Sequence, residues 1–177
     1  MKTIFFRKNH PKEGYTSLVS KENTYLKDLE IGRLRLGKKG DKFSGHTKNH
    51  ELLLEILIGT CDITTKHNDS VKKFHDIGNR KNVFDSEPDS LLIGPNTEFD
   101  ITCTSESIDI LMPKVILPDD SSDYEPVIIK PKNVEIYEIG QGNSKRTVRV
   151  ILGGKGPAKR LRGGETINDK GQWSSWP

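Results

Sequence analysis

The chain has 177 residues, of which 32% are apolar and 30% are charged, enough for one sizeable core and part of a second domain. The 28 basic and 25 acidic residues give a formal net charge of +3. This near-balance gives no reason to expect a nucleic-acid or membrane partner. No apolar run approaches the length of a membrane span, and the one at residues 4–6 is too short for a signal peptide. The two cysteines, Cys61 and Cys103, end apolar runs, which predicts buried free thiols and a reducing cytoplasmic location.

The first half of the chain carries strong strand signals. Residues 32–37 alternate polar and apolar side chains between two glycines, which is typical of a half-buried strand. The strongest apolar run, residues 50–58, has an aliphatic residue at every even position from 52 to 58. Its odd positions place Glu51 and Glu55 on the opposite face of the predicted strand.

Turn-forming residues separate the strands that follow. Gly59 predicts a turn into a second strand at residues 61–65. The polar stretch 69–82 indicates an excursion or a hairpin, and Pro-Asn-Thr at 95–97 indicates a turn. Further short strands are predicted at residues 83–85, 90–93, 98–104 and 107–112.

A second set of strand signals follows an acidic segment. Residues 118–123 are small, acidic and unpatterned, which indicates a linker. Strands are predicted beyond it at residues 127–129, 134–139, 147–152 and 160–166. With no convincing long amphipathic helix, the pattern predicts an all-β sandwich or barrel followed by a second β unit.

Both tryptophans of the chain, Trp173 and Trp176, fall within its last five residues. Large aromatic side chains are usually buried or used for binding, whereas chain ends are usually polar. We therefore expect either that the chain is part of a longer protein or that these side chains dock on a partner or on their own domain.

His46 and His50 are the weak metal-ligand candidates. Their i,i+4 spacing would suit one metal ion on a helix, but on an extended strand the two residues lie roughly 13 Å apart. A turn near Lys48 and Asn49 could bring them together. A solvated strand entrance is the favoured interpretation, because zinc needs three or four convergent ligands.

Four basic residues form a further cluster, which could attract a carboxylate or a phosphate. A solvated face is the more common role for such a cluster. Its members are Lys155, Lys159, Arg160 and Arg162.

Several sequence blocks, taken in order, resemble one enzyme family. They lie at residues 78–88, 91–98, 129–134, 140–148 and 171–177, and the last two are the most specific. The chain resembles the 5-deoxyglucuronate isomerases of myo-inositol breakdown and, more distantly, the ketodeoxyuronate isomerases of pectin breakdown. The resemblance extends from about residue 30 to residue 177.

The resemblance implies a bicupin, with two β-barrels in one chain. The implied domains are an N-terminal cupin barrel at 1–118, a linker at 119–126 and the first strands of a second cupin at 127–177. In the family a divalent metal, commonly zinc, lies in the second barrel, and its ligands begin just after the segment that matches residues 171–177. We therefore expect no metal cofactor in this chain, a sugar-acid substrate for the full-length protein, and assembly into a homo-oligomer.

Four residues are candidates for the substrate pocket: Arg146, Glu165, Trp173 and Ser174. None is assigned as catalytic. For each, a structural role is the favoured interpretation, because charges on strands are usually solvated and indoles usually pack.

Three functional hypotheses follow. The first is a 5-deoxyglucuronate isomerase-like protein that catalyses aldose–ketose isomerisation, truncated here and inactive alone for want of the metal site. The alternative is a non-catalytic cupin module for binding or scaffolding. The third, least favoured, is an unrelated β-sandwich scaffold.

Overall fold

The computed structural model describes residues 12–118, 124–154 and 156–174. This part of the chain contains twelve strands, no α-helix and two short 3-10 helices, at Pro131–Asn133 and Gly142–Ser144. The strands are β1 (Gly14–Val19), β2 (Leu29–Leu36), β3 (Lys42–His46), β4 (His50–His67), β5 (Ser70–Arg80), β6 (Ser90–Ile93), β7 (Thr97–Cys103), β8 (Ile108–Ile116), β9 (Val127–Ile129), β10 (Glu135–Ile139), β11 (Arg146–Leu152) and β12 (Gly163–Ile167). Within the described ranges no helix is long and apolar enough to cross a membrane.

Strand β4 organises a nine-stranded antiparallel sheet. Its first half pairs with β8 and β6, and its second half pairs with β5 and β7. Hydrogen-bonded neighbours in this sheet follow the order β1-β2-β8-β4-β6-β9, and β3 joins the sheet by pairing with β7. One bent strand therefore belongs to both walls of the barrel, as in the double-sheet architecture of jelly rolls.

The turn predicted at Gly59 is wrong, because this glycine lies inside β4. The pairing with β5 shifts register between Gly59 and Thr60, which marks a β-bulge. Gly59 has φ +84°, and a Cβ atom there would lie 2.2 Å from the Ser107 carbonyl oxygen. Glycine thus supplies a bend within one strand.

The core lies between the two walls. In the first half of β4 the even positions point into it, and Leu52, Leu54 and Ile56 are all buried. Beyond the bulge the odd positions Cys61 and Ile63 point into it instead. Ile58 is 40% exposed, because the register with β8 shifts between Ile56 and Ile58. The other fully buried aliphatic members of this core include Leu34, Ile63, Leu91, Ile93, Ile101 and Ile110.

Both cysteines are buried in this core and free, as predicted. Cys61 of β4 lies directly opposite Cys103 of β7 in the antiparallel register. The backbone N–H of Cys103 donates to Asp41, and its carbonyl accepts from Gly40, so both groups point to the β3 side. The two cysteines therefore form a non-hydrogen-bonded pair, the kind in which facing side chains lie closest.

The opposite face of β4 is covered by the C-terminal part of the chain. There β10, β11 and β12 form a separate three-stranded antiparallel sheet. A second apolar cluster joins this part to the outer face of the large sheet, so two cores share β4 as their common wall. Its buried members are Leu53, Leu92, Val115, Val134, Ile151, Leu152, Ala158 and Leu161.

The predicted strands agree with the structure except at residues 83–85. There an Asn82 side-chain oxygen accepts from the Phe84 N–H, which makes a turn. Strand β9 pairs with β6, so the first strand predicted after the linker lies in the nine-stranded sheet. Residues 119–123 of the predicted linker lie outside the described residues, and the domain limits stay predictions.

Candidate functional site

The two histidines singled out as metal candidates flank a tight turn. His46 is exposed at the end of β3, and its Nδ1 accepts a hydrogen bond from the Lys48 N–H at 2.8 Å. The Nδ1 of His50 lies 3.2 Å from the Thr47 carbonyl oxygen. Burial, and then the charge of Lys114, lower the pKa of His50.

This pair does not fit a metal centre. Each Nδ1 already interacts with local backbone, and zinc requires further convergent ligands. Among residues 12–118, 124–154 and 156–174, no three His, Cys, Asp or Glu side chains come together around one point. A small cavity of about 170 Å³ lies beside His46, and its lining includes the aromatic rings of Tyr15, Phe43 and Phe99.

Glu51 is an isolated carboxylate on the outer face of β4, and it is fully buried. The Tyr124 hydroxyl donates to it at 2.8 Å. The backbone N–H groups of Lys159, Arg160 and Leu161 also donate to it, at 2.5, 3.0 and 2.6 Å. The carboxylate therefore holds the loop before β12 against the large sheet.

The segment that carries the predicted basic cluster at 155–162 thus does contact a carboxylate. That carboxylate is Glu51 of the same chain, and backbone N–H groups make the contact. The Arg160 guanidinium instead bonds Asp28 at 2.9 Å and the Ile116 carbonyl oxygen at 2.7 Å. Arg162 donates to the carbonyl oxygens of Ala158 and Leu161. Lys155 lies outside the described residues.

A buried charge cluster lies farther along the same face, where β4, β5, β11 and β12 meet. Arg80 Nη2 lies 2.6 Å from Glu165 Oε1 and 3.8 Å from Glu55 Oε1. Arg149 Nη1 lies 3.1 Å from Glu165 Oε2, and its Nε lies 3.3 Å from Glu87 Oε1. These four charged side chains are almost fully withdrawn from water. The exposed fraction is 2% for Arg80, 6% for Glu55, 8% for Arg149 and 12% for Glu165.

Both guanidinium groups are also bound by backbone carbonyl oxygens. Arg80 donates to the carbonyls of Ile56, Leu57 and Ser86. Arg149 donates to the carbonyls of Val83 and Ser86. The turn at residues 82–86 is thus held by both arginines, so the cluster joins it to the C-terminal sheet.

The surroundings shift the pKa values of the two β4 glutamates in opposite directions. Burial acts to raise the pKa of Glu51, but the hydrogen bonds from Leu161, Lys159, Tyr124 and Arg160 prevail and lower it. Burial raises the pKa of Glu55 from 4.5 to about 7, helped by the charge of Glu165 and a hydrogen bond to it. Arg80 offsets only part of this shift.

A polar cavity of about 300 Å³ borders the cluster. Arg80, Glu87, Asp89 and Lys130 line it, and Lys130 Nζ lies 3.3 Å from Asp89 Oδ1. The Lys130 side chain is 42% exposed, so this side of the cluster opens towards solvent.

Of the four pocket candidates, Glu165 alone belongs to this cluster. Arg146 Nη1 donates to the Ser144 carbonyl oxygen at 3.0 Å. The Trp173 backbone N–H donates to the Asn143 carbonyl oxygen at 2.7 Å, and the residue is 60% exposed. Arg146 and Trp173 thus both donate to carbonyl oxygens of the 142–144 turn. Ser174 is exposed, and Trp176 lies outside the described residues.

Sequence reasoning missed Glu55, Arg80 and Arg149 as interacting residues. The usable signal was a pair of glutamates inside the strongest apolar run of the chain, since glutamate is rarely buried without a partner. The partners could not be found by pattern, because Arg80 and Arg149 are distant in sequence.

The double sheet around one apolar core defines an all-β protein of the cupin class, as predicted. The chain belongs to the KduI/IolB family, which matches it over residues 5–177. It is similar to 5-deoxy-glucuronate isomerases of Geobacillus kaustophilus (strain HTA426) and Geobacillus thermodenitrificans (strain NG80-2), with 30% and 29% identity over 140 residues. Those alignments cover 78% of this chain and 48% of each relative, so the chain spans about half the length of these relatives.

The fold also matches a solved structure. A crystal structure of an IolB-like protein from Salmonella typhimurium LT2 superimposes with a TM-score of 0.82 at 22% identity. The match covers 94% of this chain and 60% of that one. At this identity the likeness shows the fold.

Proposed function

We propose that the full-length protein is a 5-deoxyglucuronate isomerase-like enzyme that interconverts the aldose and ketose forms of a deoxyuronic acid in inositol breakdown. The observation that carries this proposal is the KduI/IolB family match over residues 5–177, together with two relatives named 5-deoxy-glucuronate isomerase. We further propose a bicupin that forms a homo-oligomer in the cytoplasm. The two free cysteines are consistent with such a reducing location.

Within this enzyme we assign residues 12–118, 124–154 and 156–174 a scaffold role. Aldose–ketose isomerisation moves a proton between neighbouring carbons, so it needs a base within hydrogen-bond reach of the substrate. Glu51 is fully enclosed by hydrogen-bond donors, and Glu165 is bound by two guanidinium groups. These carboxylates are committed to holding the two sheets together.

The local backbone contacts of His46 Nδ1 and His50 Nδ1 support placing the divalent metal implied by the family resemblance outside the described side chains. We propose that ligands elsewhere in the full-length protein hold it. No step of the reaction is assigned to residues of this part of the chain.

The test compares the purified 1–177 chain with the protein present in its native cells. The intact mass of the endogenous protein is measured, and both samples are incubated with 5-deoxyglucuronate and followed by proton NMR. We expect a mass well above 20.0 kDa, turnover by the endogenous protein and none by the 1–177 chain. Turnover by the 1–177 chain that a chelator abolishes would contradict the scaffold assignment and implicate His46 and His50.

A non-catalytic binding or scaffold module is the second candidate. It is favoured by the absence of a three-ligand metal cluster in the described parts of the chain. An endogenous mass of 20.0 kDa without turnover would support it. Calorimetric titration of that protein with the sugar acid would then separate a binding role from a purely structural one.

A further inference from the structure

The carboxyl groups of Glu55 and Glu165 converge on one guanidinium nitrogen, because Arg80 Nη2 lies 3.8 Å from Glu55 Oε1 and 2.6 Å from Glu165 Oε1. An ionised carboxylate can only accept hydrogen bonds, so a bond between two carboxyl groups requires a proton on one of them. The two groups come from different sheets, because Glu55 lies on β4 and Glu165 lies on β12.

The arrangement of the arginines identifies the protonated member. Both oxygens of Glu165 are ion-paired, one with Arg80 at 2.6 Å and the other with Arg149 at 3.1 Å. The ion-pair distance from Glu55 to Arg80 is 3.8 Å, beyond hydrogen-bond range. Glu165 therefore has two cation partners and Glu55 has none within hydrogen-bond range, which places the proton of the pair on Glu55.

The site has little capacity to accept a second negative charge. Arg80 and Arg149 already donate to backbone carbonyls and are ion-paired with Glu165, and Arg149 also faces Glu87. Deprotonation would remove the Glu55 donor and place two carboxylates against each other in a nearly dry site.

We propose that the Glu55–Glu165 carboxyl pair is a proton-dependent contact that holds β12 of the C-terminal sheet against β4 and loosens when Glu55 loses its proton. The polar cavity reaches Arg80, the cation that both carboxyl groups face.

A second contact between the same two parts of the chain does not depend on this proton. Glu51 accepts three hydrogen bonds from the backbone N–H groups of residues 159–161 and one from the Tyr124 hydroxyl, which favours its ionised form. Loss of the Glu55 proton therefore frees β12 and its neighbour β11 locally, while Glu51 continues to hold the loop before β12.

The size of the effect follows from proton linkage. The pKa of Glu55 is about 7 in the closed protein, against 4.5 in water. The closed state thus binds the Glu55 proton more tightly than an open state in which the carboxyl reaches water. Between pH 6 and pH 8 the opening equilibrium constant should rise about tenfold.

The test is amide hydrogen exchange of β11 and β12 in the 1–177 chain at pH 6 and pH 8, corrected for the intrinsic pH dependence of exchange. The wild-type chain should show the tenfold rise in opening. In Glu55→Gln the carboxamide donates to Glu165 at every pH, so the rise should vanish. Glu98→Gln, which alters an exposed glutamate of β7, is the matched control and should keep it.

Equal opening of wild-type β12 at both pH values would overturn the proposal. A rise in the opening of β12 in Glu55→Gln as large as that of the wild-type chain would overturn it too. If Glu55→Gln does not fold, carbon-13 NMR of glutamate-labelled wild-type protein decides the matter. A glutamate carboxyl that titrates near pH 7 would support the proposal, and titration of all glutamates near their ordinary pH would refute it.

Discussion

Glu51 and Glu55 project from the same face of β4, four residues apart, and the protein shifts their pKa values in opposite directions. The difference lies in the donors that each meets. Glu51 receives three backbone N–H groups and a phenol, whereas Glu55 meets another carboxyl. Both residues join the large sheet to the C-terminal part of the chain, one through a fixed charge and one through a proton.

Replacing Glu51 by alanine should lower the free energy of unfolding by about 3 kcal/mol, because three buried N–H groups would lose their acceptor. Urea unfolding at pH 7, followed by circular dichroism, measures this. Glu98→Ala removes an exposed glutamate and should change stability by less than about 0.5 kcal/mol. Similar losses in the two variants would show that Glu51 does not hold the loop.

Stability should depend on pH through Glu55. Its folded-state pKa of about 7 lies above its ordinary value of 4.5. Its stabilising contribution is therefore complete below pH 4.5 and is lost as the pH rises through 7. Relative to Glu55→Gln, the wild-type chain should lose about 1.4 kcal/mol between pH 6 and pH 8.

Referring the measurement to Glu55→Gln cancels the contribution of His50, whose lowered pKa acts in the opposite direction. The quantity to measure is the difference in urea midpoint between the two proteins at each pH. A difference that stays constant from pH 5 to pH 8 would exclude a raised Glu55 pKa.

Arg80→Ala should be among the most damaging substitutions in the chain, costing about 3–5 kcal/mol. It leaves the Ile56, Leu57 and Ser86 carbonyls without this donor and removes one of two cations from Glu165. Thermal unfolding by calorimetry provides the check. Arg35→Ala, which removes a guanidinium that is 38% exposed, is the control and should cost less than about 1 kcal/mol.

Gly59→Ala tests the bend in β4. The methyl group would meet the Ser107 carbonyl oxygen, and alanine would have to adopt φ +84°. We expect a loss of about 2 kcal/mol or more. Gly154→Ala adds a methyl group where nothing lies within 4 Å, and its melting temperature should stay near wild type. Equal melting temperatures for the two variants would mean that β4 bends without needing glycine.

Most of the fold could be predicted because strands leave local signals. Alternation at residues 32–37 and the apolar even positions of 50–58 identified β2 and the first half of β4. Gly59 was misassigned because a bulge and a turn use the same residue for the same reason, access to positive φ. Which of the two occurs depends on β5 and β8, whose pairing no local pattern encodes.

The candidate site was harder to predict, because its partners meet only in the folded chain. Glu165 was selected from sequence, but its arginine partners are 85 and 16 positions away. The basic cluster around Arg160 suggested an anion site, and the anion turned out to be Glu51, held by the backbone of that segment. Sequence shows which charges are available, whereas tertiary packing decides which of them meet.

The facing thiols of Cys61 and Cys103 can report the rate at which the barrel opens. They are 0% and 1% exposed, and burial raises the pKa of Cys61 to about 12. A thiol reagent can therefore reach them only after β4 and β7 separate. At reagent concentrations where labelling outpaces reclosing, the labelling rate gives the lifetime of the closed barrel in water, without denaturant, extrapolation or an introduced probe.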